Sequence, residues 1–181
     1  MIHLIYITMT NIPIANMQPT YLFATVEKRK LDAVLHKLKE VNYINWFGST
    51  SGRFDLVASL KGNDVQKTYA ALREIRSMNG VLSTTSMYPY ECIVNSHSNG
   101  AHAMGQVFLR VDKPVQAVLN SLMGIPGVSD ASVVSGQWDI LATVKGESYE
   151  EILANTVQKI SQIDGIRTSE TSFVYKPTVM A

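Results

Sequence analysis

The sequence has little cysteine, little net charge and no long run of apolar residues, and each shortage excludes a class of protein. Its 181 residues include one cysteine, Cys92, so an intrachain disulfide framework is excluded and we expect a reducing, cytoplasmic location. The formal net charge of +1 gives no general attraction to nucleic acid. The apolar N-terminal stretch has no basic residue before it and is interrupted by polar residues and Pro13, so we expect neither a signal peptide nor a membrane anchor.

Motifs of catalysis are also missing. The sequence contains no HExxH, no CxxC, no glycine-rich phosphate loop and no recognisable Ser/His/Asp set. Cys92 stands at the predicted end of a strand without a basic residue nearby to activate it. We therefore predict that the protein is not an enzyme.

The sequence does contain one stretch twice. Residues 51–62 read SGRFDLVASLKG and residues 135–146 read SGQWDILATVKG, with six identities at the same spacing. Agreement of this kind over twelve positions indicates an internal duplication. We predict an N-terminal extension (1–19), a first unit (20–94), a linker (95–102) and a second unit (103–181).

Hydrophobic periodicity gives both units the same element order. In the first, strand-like runs at 21–26, 43–49, 54–61 and 81–90 alternate with helical patterns after Lys28 and Val65. The second unit repeats this order, β-α-β-β-α-β, with one residue inserted before Asp164-Gly165. The fold class is therefore α+β, with two tandem ferredoxin-like βαββαβ units.

One face of each predicted sheet has no helix to cover it. Alternation along the central strands places Val57 and Leu141 on that face, whereas Phe54 and Leu56 share the helix-covered face. An apolar face of this kind requires a partner. We predict that the sheets pack face to face, on each other or on a second chain, and that the protein forms homo-oligomers.

The motifs together resemble the effector-binding domain of the Lrp/AsnC regulators, a domain of the dimeric α/β-barrel type also called RAM. The resemblance rests on Ile125-Pro126-Gly127-Val128, on Gly136, Trp138 and Asp139, and on a helix ending in Asp-Gly. It covers residues 20–92 and 103–177. The first unit departs at Val41-Asn42-Tyr43-Ile44, so we expect a different turn there.

The resemblance implies a domain that dimerises through its sheets and binds amino acids or similar effectors. Such regulators also carry a helix-turn-helix, and the first 19 residues are too few for a three-helix DNA reader. We therefore expect no direct DNA binding and no membrane partner. Co-assembly with Lrp/AsnC-type regulators is the expected route to an effect on transcription.

The candidate effector site follows from the doubled motif. Gly52 and Gly136 suit a tight turn or a backbone exposed to ligand. Asp55 and Asp139 are acids in otherwise apolar strands, which suits either a turn anchor that accepts backbone N–H bonds or a ligand for an ammonium group. The carboxylate of a ligand could bind hydroxyl groups at four positions, although residues of these types are also ordinary in strands. The four are Thr84, Thr85, Ser169 and Thr171.

The histidines suggest an alternative without an organic effector. Met1-Ile2-His3 has the spacing with which a free amino terminus and an imidazole chelate Cu(II) or Ni(II). His97 and His102 could add a weak second site beside Met104.

We expect no resident cofactor, with Cu or Ni as the exception. The preferred function is binding of an amino-acid-type effector. The alternatives are Cu/Ni binding and a monooxygenase-type enzyme, because ferredoxin-like barrels include small oxygenases and haem enzymes.

Overall fold

The computed structural model describes residues 5–8, 18–95 and 102–180. The chain divides into two compact units. Within the described residues, the first unit comprises 18–88 and 174–180, and the second comprises 5–8, 89–95 and 102–173. No helix in these ranges is long and apolar enough to cross a membrane.

Strand β1 (Ile5–Thr8) precedes the first repeat in the sequence and belongs to the second unit. The first unit has the predicted order of elements, with a 3-10 turn (Lys28–Lys30) leading into its first helix. Its elements are β2 (Thr20–Val26), α1 (Leu31–Leu38), β3 (Ile44–Thr50), β4 (Leu56–Leu60), α2 (Val65–Ser77) and β5 (Val81–Met87). The strands lie in the order β3-β4-β2-β5, and all their pairings are antiparallel.

The second unit repeats this plan after β6 (Pro89–Val94). Its elements are β7 (Ala103–Val111), α3 (Val115–Met123), β8 (Val128–Val134), β9 (Ile140–Gly146), a helical run from α4 (Tyr149–Glu151) through a π-helical segment (Ile152–Val157) to α5 (Gln158–Ser161), and β10 (Ile166–Val179). The strand order is β8-β9-β7-β10, equivalent to that of the first unit. The predicted α+β class and the ferredoxin-like βαββαβ units are confirmed.

The π-helical segment accounts for the residue inserted in the second repeat. The helix N-caps, Asp64 and Ser148, are 84 residues apart, whereas the terminating glycines, Gly80 and Gly165, are 85 apart. The additional residue therefore lies inside the second helix of the second unit. A π-helical turn absorbs such an insertion while the helix axis continues.

Each unit has its own apolar core between helices and sheet. In the first unit, Leu22, Leu56 and Ile75 belong to this core and are fully buried. In the second, Leu109, Ile140 and Ile160 have the same role. Val57 and Leu141, predicted on the opposite face of each sheet, are 0% and 1% exposed, which confirms that this face is covered.

Phe54 was predicted on the helix-covered face of the sheet, but it lies on the opposite face, as does its equivalent, Trp138. The Phe54 ring centroid is 5.1 Å from that of Phe23, and the Trp138 centroid is 5.7 Å from that of Phe108. None of these four rings belongs to the helix-facing cores. The alternation fails because β4 begins at Leu56 and β9 at Ile140, so the residues before them are not in strand register.

The turn before β3 was expected to differ from the turn before β8, and that prediction is wrong. Tyr43 has φ 81°, close to the φ of 91° at Gly127, its equivalent in the second repeat. Their carbonyl oxygens also accept equivalent bonds, from Lys61 N at 2.9 Å and Lys145 N at 2.7 Å. The side chain of Tyr43 donates a hydrogen bond to Asn63 and lies under the Lys67 ammonium group, 5.9 Å from the ring centroid. These contacts offset the strain of a left-handed tyrosine.

The compact units differ from the sequence repeats at their ends. The run predicted as one strand over 81–90 is divided at Tyr88, because Pro89 has no N–H to continue the pairing. β6, from the end of the first repeat, pairs with β8 in the second unit. β10, from the end of the second repeat, continues to Val179, and Val174 to Val179 pair with β3 in the first unit. The repeats have therefore exchanged terminal strands.

We predict that deleting residues 174–181 destabilises the first unit. The deletion removes the fully buried Val174 side chain and leaves one edge of β3 without backbone partners. Burial of one valine contributes about 1.5–3 kcal/mol. Each net hydrogen bond contributes about 1 kcal/mol. We expect a loss of about 3 kcal/mol or more in urea unfolding, against no change on deleting Ala181 alone. Equal midpoints for the two truncated proteins would contradict the exchange.

Candidate functional site

The doubled motif forms an exposed turn in each unit. Gly52 and Gly136 have φ values of 90° and 109°, in the region that favours glycine. Both are exposed, and a Cβ added to Gly136 would meet nothing within 4 Å. The turn therefore presents its backbone to solvent, as either sequence interpretation of these glycines requires.

The aspartate that follows each turn binds backbone rather than pointing away from the protein. Asp55 Oδ2 accepts the N–H of Val26 at 2.7 Å, and Asp139 Oδ2 accepts the N–H of Val111 at 2.9 Å. The backbone N–H of Asp55 also donates to Ala24 O at 2.9 Å, and that of Asp139 donates to Leu109 O at the same distance. Each carboxylate thus fastens the end of the first strand of its unit to the motif. This geometry is that of the turn anchor.

The hydroxyl residues do not converge on one point. Thr84 pairs with Ala24 of the helix-facing core, and its Oγ1 accepts from Arg76 Nε at 2.9 Å. Thr85 pairs with Phe23 and so lies on the opposite face. Ser169 and Thr171 lie on the same side of β10 as Phe173, which packs against the helix-facing core. Ser172 lies on the opposite side. Thr84 and Thr85 therefore lie on opposite faces of the sheet and do not belong to one site.

The proposed metal ligands lie mostly outside the described residues, as His3 and His97 both do. His102 is exposed, with its Nε2 3.7 Å from Glu147 Oε2. Within the ranges that the structure describes, no group of three or more His, Cys, Asp and Glu residues could hold a metal ion.

Cys92 is a poor nucleophile. It is 5% exposed, and burial, with a smaller contribution from the nearby Asp130, raises the pKa of its thiol to about 11. A hydrogen bond with the Ser132 side chain acts in the opposite direction. Little thiolate therefore forms at neutral pH.

A second set of polar residues, which the sequence reasoning missed, crosses the second unit on the face opposite the helices. We call it the polar row: Asp130 on β8, Thr143 on β9, Gln106 on β7 and Ser172 on β10. Gln106 is paired with Thr143, and Thr143 with Asp130, across neighbouring strands. None of the four belongs to the helix-facing core, whereas their neighbours Val107, Ala131 and Phe173 contact it or belong to it.

Hydrogen bonds connect three members of the polar row. Gln106 Nε2 donates to Thr143 Oγ1 at 3.2 Å, and Thr143 Oγ1 donates to Asp130 Oδ1 at 2.9 Å. Ser129 Oγ donates to Asp130 Oδ2, also at 2.9 Å. Among the described residues, two buried side-chain atoms have no hydrogen-bond partner, and both are in this row: Gln106 Oε1 and Ser172 Oγ. Each such atom costs about 1–3 kcal/mol while it stays unpaired.

Asp130 is the one acid of the polar row. Part of the residue is exposed, but its carboxyl group is desolvated, and this burial raises its pKa above the ordinary 3.8. The hydroxyls of Thr143 and Ser129 and the charge of Lys145 act in the opposite direction without cancelling the effect.

We predict that Asp55→Ala and Asp139→Ala each lower the free energy of unfolding by about 1.5–3 kcal/mol, the usual worth of a hydrogen bond to a charged group. Asp→Asn at either position should cost less, because the amide oxygen still accepts the same N–H. Chemical denaturation measures both losses. Full stability of the alanine variants, combined with loss of ligand binding, would instead indicate an ammonium-binding role.

We predict that Asp130 makes stability depend on pH. Since its pKa is raised on folding, the native state holds this proton more tightly than the unfolded chain does. The stabilisation of the native state by this proton is fully present below the pKa of the unfolded chain, near 3.8. It is lost as the pH rises through the pKa of the folded protein. The free energy of unfolding of Asp130→Asn, relative to that of wild type, should therefore increase between pH 4 and pH 7. A constant difference over this range would contradict the prediction.

The model of the family described as Lrp/AsnC ligand binding domain matches residues 21–98 and again residues 103–181. The chain is also similar to an uncharacterized HTH-type transcriptional regulator of Pyrococcus furiosus, with 36% identity over 59 residues. That match covers 32% of this chain and 39% of the relative, so the chain spans well under half of the relative's length.

Three solved structures resemble nearly the whole chain. They are the siroheme decarboxylase NirDL (TM-score 0.69, 11% identity, 99% of this chain and 77% of that chain), an anthrone oxidase-like protein (0.54, 10%, 97% and 96%) and a mutant chlorite dismutase of Candidatus Nitrospira defluvii (0.57, 10%, 88% and 92%). These likenesses overturn the prediction that the protein is not an enzyme, because folds so similar over this length belong to enzymes. At such identity they show the fold alone and transfer no reaction.

The family match accounts for both copies of the motif. It includes the Ser-Gly turns, the aspartate anchors and the second helix of each repeat. It also covers most of the 181 residues. The protein therefore belongs to the Lrp/AsnC ligand binding domain family and contains that domain twice in tandem.

Proposed function

We propose that the protein binds a small amino-acid-type effector and, through its own assembly or through co-assembly with Lrp/AsnC-type regulators, acts on transcription. The observation that carries this proposal is the match of one ligand binding family to both repeats. The similarity to a relative described as a transcriptional regulator supports the regulatory part. The proposed property of the protein is binding of the effector, whether or not a reaction of the effector follows.

The exposed turns are the proposed points of contact. Gly52 and Gly136 leave backbone N–H and C=O groups open to a ligand, and Asp55 and Asp139 hold the strands that support them. Because the anchors use a carboxylate oxygen on backbone, they fix the shape of the turn and leave recognition to the backbone and nearby side chains. This is a preorganised arrangement, which reduces the ordering cost of binding.

Assembly is the proposed output. The family resemblance implies dimerisation through the sheets, so an effector that binds one assembled state more tightly than another shifts the population between them. The size of the shift is limited by the difference in affinity between the two states.

Calorimetric titration with each of the twenty L-amino acids tests the proposal, with light scattering on the same samples. We expect heat with one or a few amino acids and a change of molar mass on their addition. Cu(II) serves as a comparison ligand, since tight Cu(II) binding that His3→Ala abolishes would favour the metal alternative. No heat with any amino acid would contradict effector binding, and a constant mass would contradict the assembly mechanism.

Matched glycine variants test the turn. Gly136→Ala adds a Cβ at φ 109°, where the backbone must strain or move, whereas Gly124→Ala adds one at φ −80° with no contact closer than 3.4 Å. We expect Gly136→Ala to weaken amino acid binding at least tenfold and Gly124→Ala to leave it unchanged. Equal affinities in the two variants would remove the turn from the site.

A further inference from the structure

The two repeats carry different kinds of side chain along the polar row. Strand pairing fixes the equivalent positions, because Tyr21 pairs with Ser59, Trp46 pairs with Ser59 and Tyr21 also pairs with Met87. Gln106, Asp130, Thr143 and Ser172 of the second unit thus correspond to Tyr21, Trp46, Ser59 and Met87 of the first.

The first unit shows that the fold does not require polar residues here. Tyr21 and Met87 are 6% and 3% exposed, and the Tyr21 ring packs edge-on against Trp46 with centroids 6.5 Å apart. The same four positions therefore accept mainly aromatic and apolar side chains. Replacing buried polar groups by apolar ones of similar shape is often neutral or stabilising. A buried polar row at positions where the fold accepts apolar residues points to a function.

The directions of the hydrogen bonds determine what the row offers to a ligand. Thr143 gives its only hydroxyl proton to Asp130, so its oxygen must accept from the amide nitrogen of Gln106. The amide oxygen of Gln106 then faces away from the network as an acceptor without a partner. Each bond in such a chain polarises the next, which extends the influence of the carboxyl group toward Gln106 Oε1.

Ser172 supplies the second unused group. β10 runs beside β7, with the Ser172 carbonyl oxygen 3.4 Å from where a Cβ of Gly105 would stand. Gln106 and Ser172 are both 0% exposed and lie on the same face of these neighbouring strands. Two unpartnered polar groups on one face of neighbouring strands, both shielded from water, offer acceptors where interactions with a positively charged donor are strong.

We propose that the polar row of the second unit is a binding site for the ammonium group of a small ligand, held by Gln106 Oε1 and Ser172 Oγ with Asp130 behind them. The inference rests on effector binding as proposed, and it places the ammonium group on the polar row instead of at the exposed turns. It assigns recognition of the amino end of the effector to the second repeat, and it gives the first repeat, with Tyr21 and Trp46 in place, no equivalent site.

The experiment compares each of the twenty L-amino acids with its 2-hydroxy acid, which keeps the carboxylate and side chain but has no ammonium group. The variants are Gln106→Met, which preserves length and removes the acceptor, and Ser172→Ala. Their matched controls in the first unit are Tyr21→Phe and Ser59→Ala. Calorimetry gives affinities, and thermal melting shows that each variant is folded.

We expect wild type to prefer the amino acid over its 2-hydroxy acid at least tenfold. Gln106→Met should lower the affinity for the amino acid at least tenfold, abolish this preference and melt at the same or a higher temperature than wild type. Ser172→Ala should show a smaller loss of the same kind, and both controls should bind as wild type does.

The outcomes separate the two proposals. If an amino acid binds wild type and Gln106→Met equally, or if the preference for the ammonium group survives in that variant, the polar row is not the site although effector binding stands. If neither Gln106→Met nor Tyr21→Phe binds, the effect is not specific to the row and the inference fails. If no amino acid binds wild type, effector binding and this inference fail together.

Discussion

The structure depends on backbone pairing between strands that are distant in the sequence. β3 and β8 would each have an open edge if their repeats folded alone, and each edge is filled by the terminal strand of the other repeat. An unpaired edge strand exposes a row of N–H and C=O groups that invites association with other chains. The exchange satisfies these groups and makes the stability of each compact unit depend on both repeats.

Much of the fold follows from periodicity, because the signal is local and repeated. The helical stripes and the alternating strands of each repeat predict the βαββαβ order, and Asp64 and Ser148 stand at the helix starts where capping residues belong. Periodicity could not predict the strand exchange. Which edge β6 or the end of β10 joins is decided by pairing over long sequence separation, and the only local sign was Pro89, at the point where the chain changes unit.

The candidate site was less accessible to sequence reasoning. The acids at 55 and 139 were visible in the duplicated motif, but their use as backbone anchors depends on where the ends of β2 and β7 lie in space. Tyr43 shows a related limit, since its left-handed backbone is imposed by the turn and supported by Asn63 and Lys67, against its own preference. The polar row was hidden because its members are separated in sequence and become one feature only through strand pairing.

Joining the repeats in one chain has a consequence for how the exchanged strands behave on dilution. Two separate chains that traded strands would come apart at low concentration, because their pairing is a bimolecular equilibrium. Joining the two repeats in one chain makes this pairing intramolecular, so it no longer depends on protein concentration. The tandem protein therefore keeps both edges filled at any cellular abundance, and its two copies are free to diverge as Gln106 and Tyr21 have done.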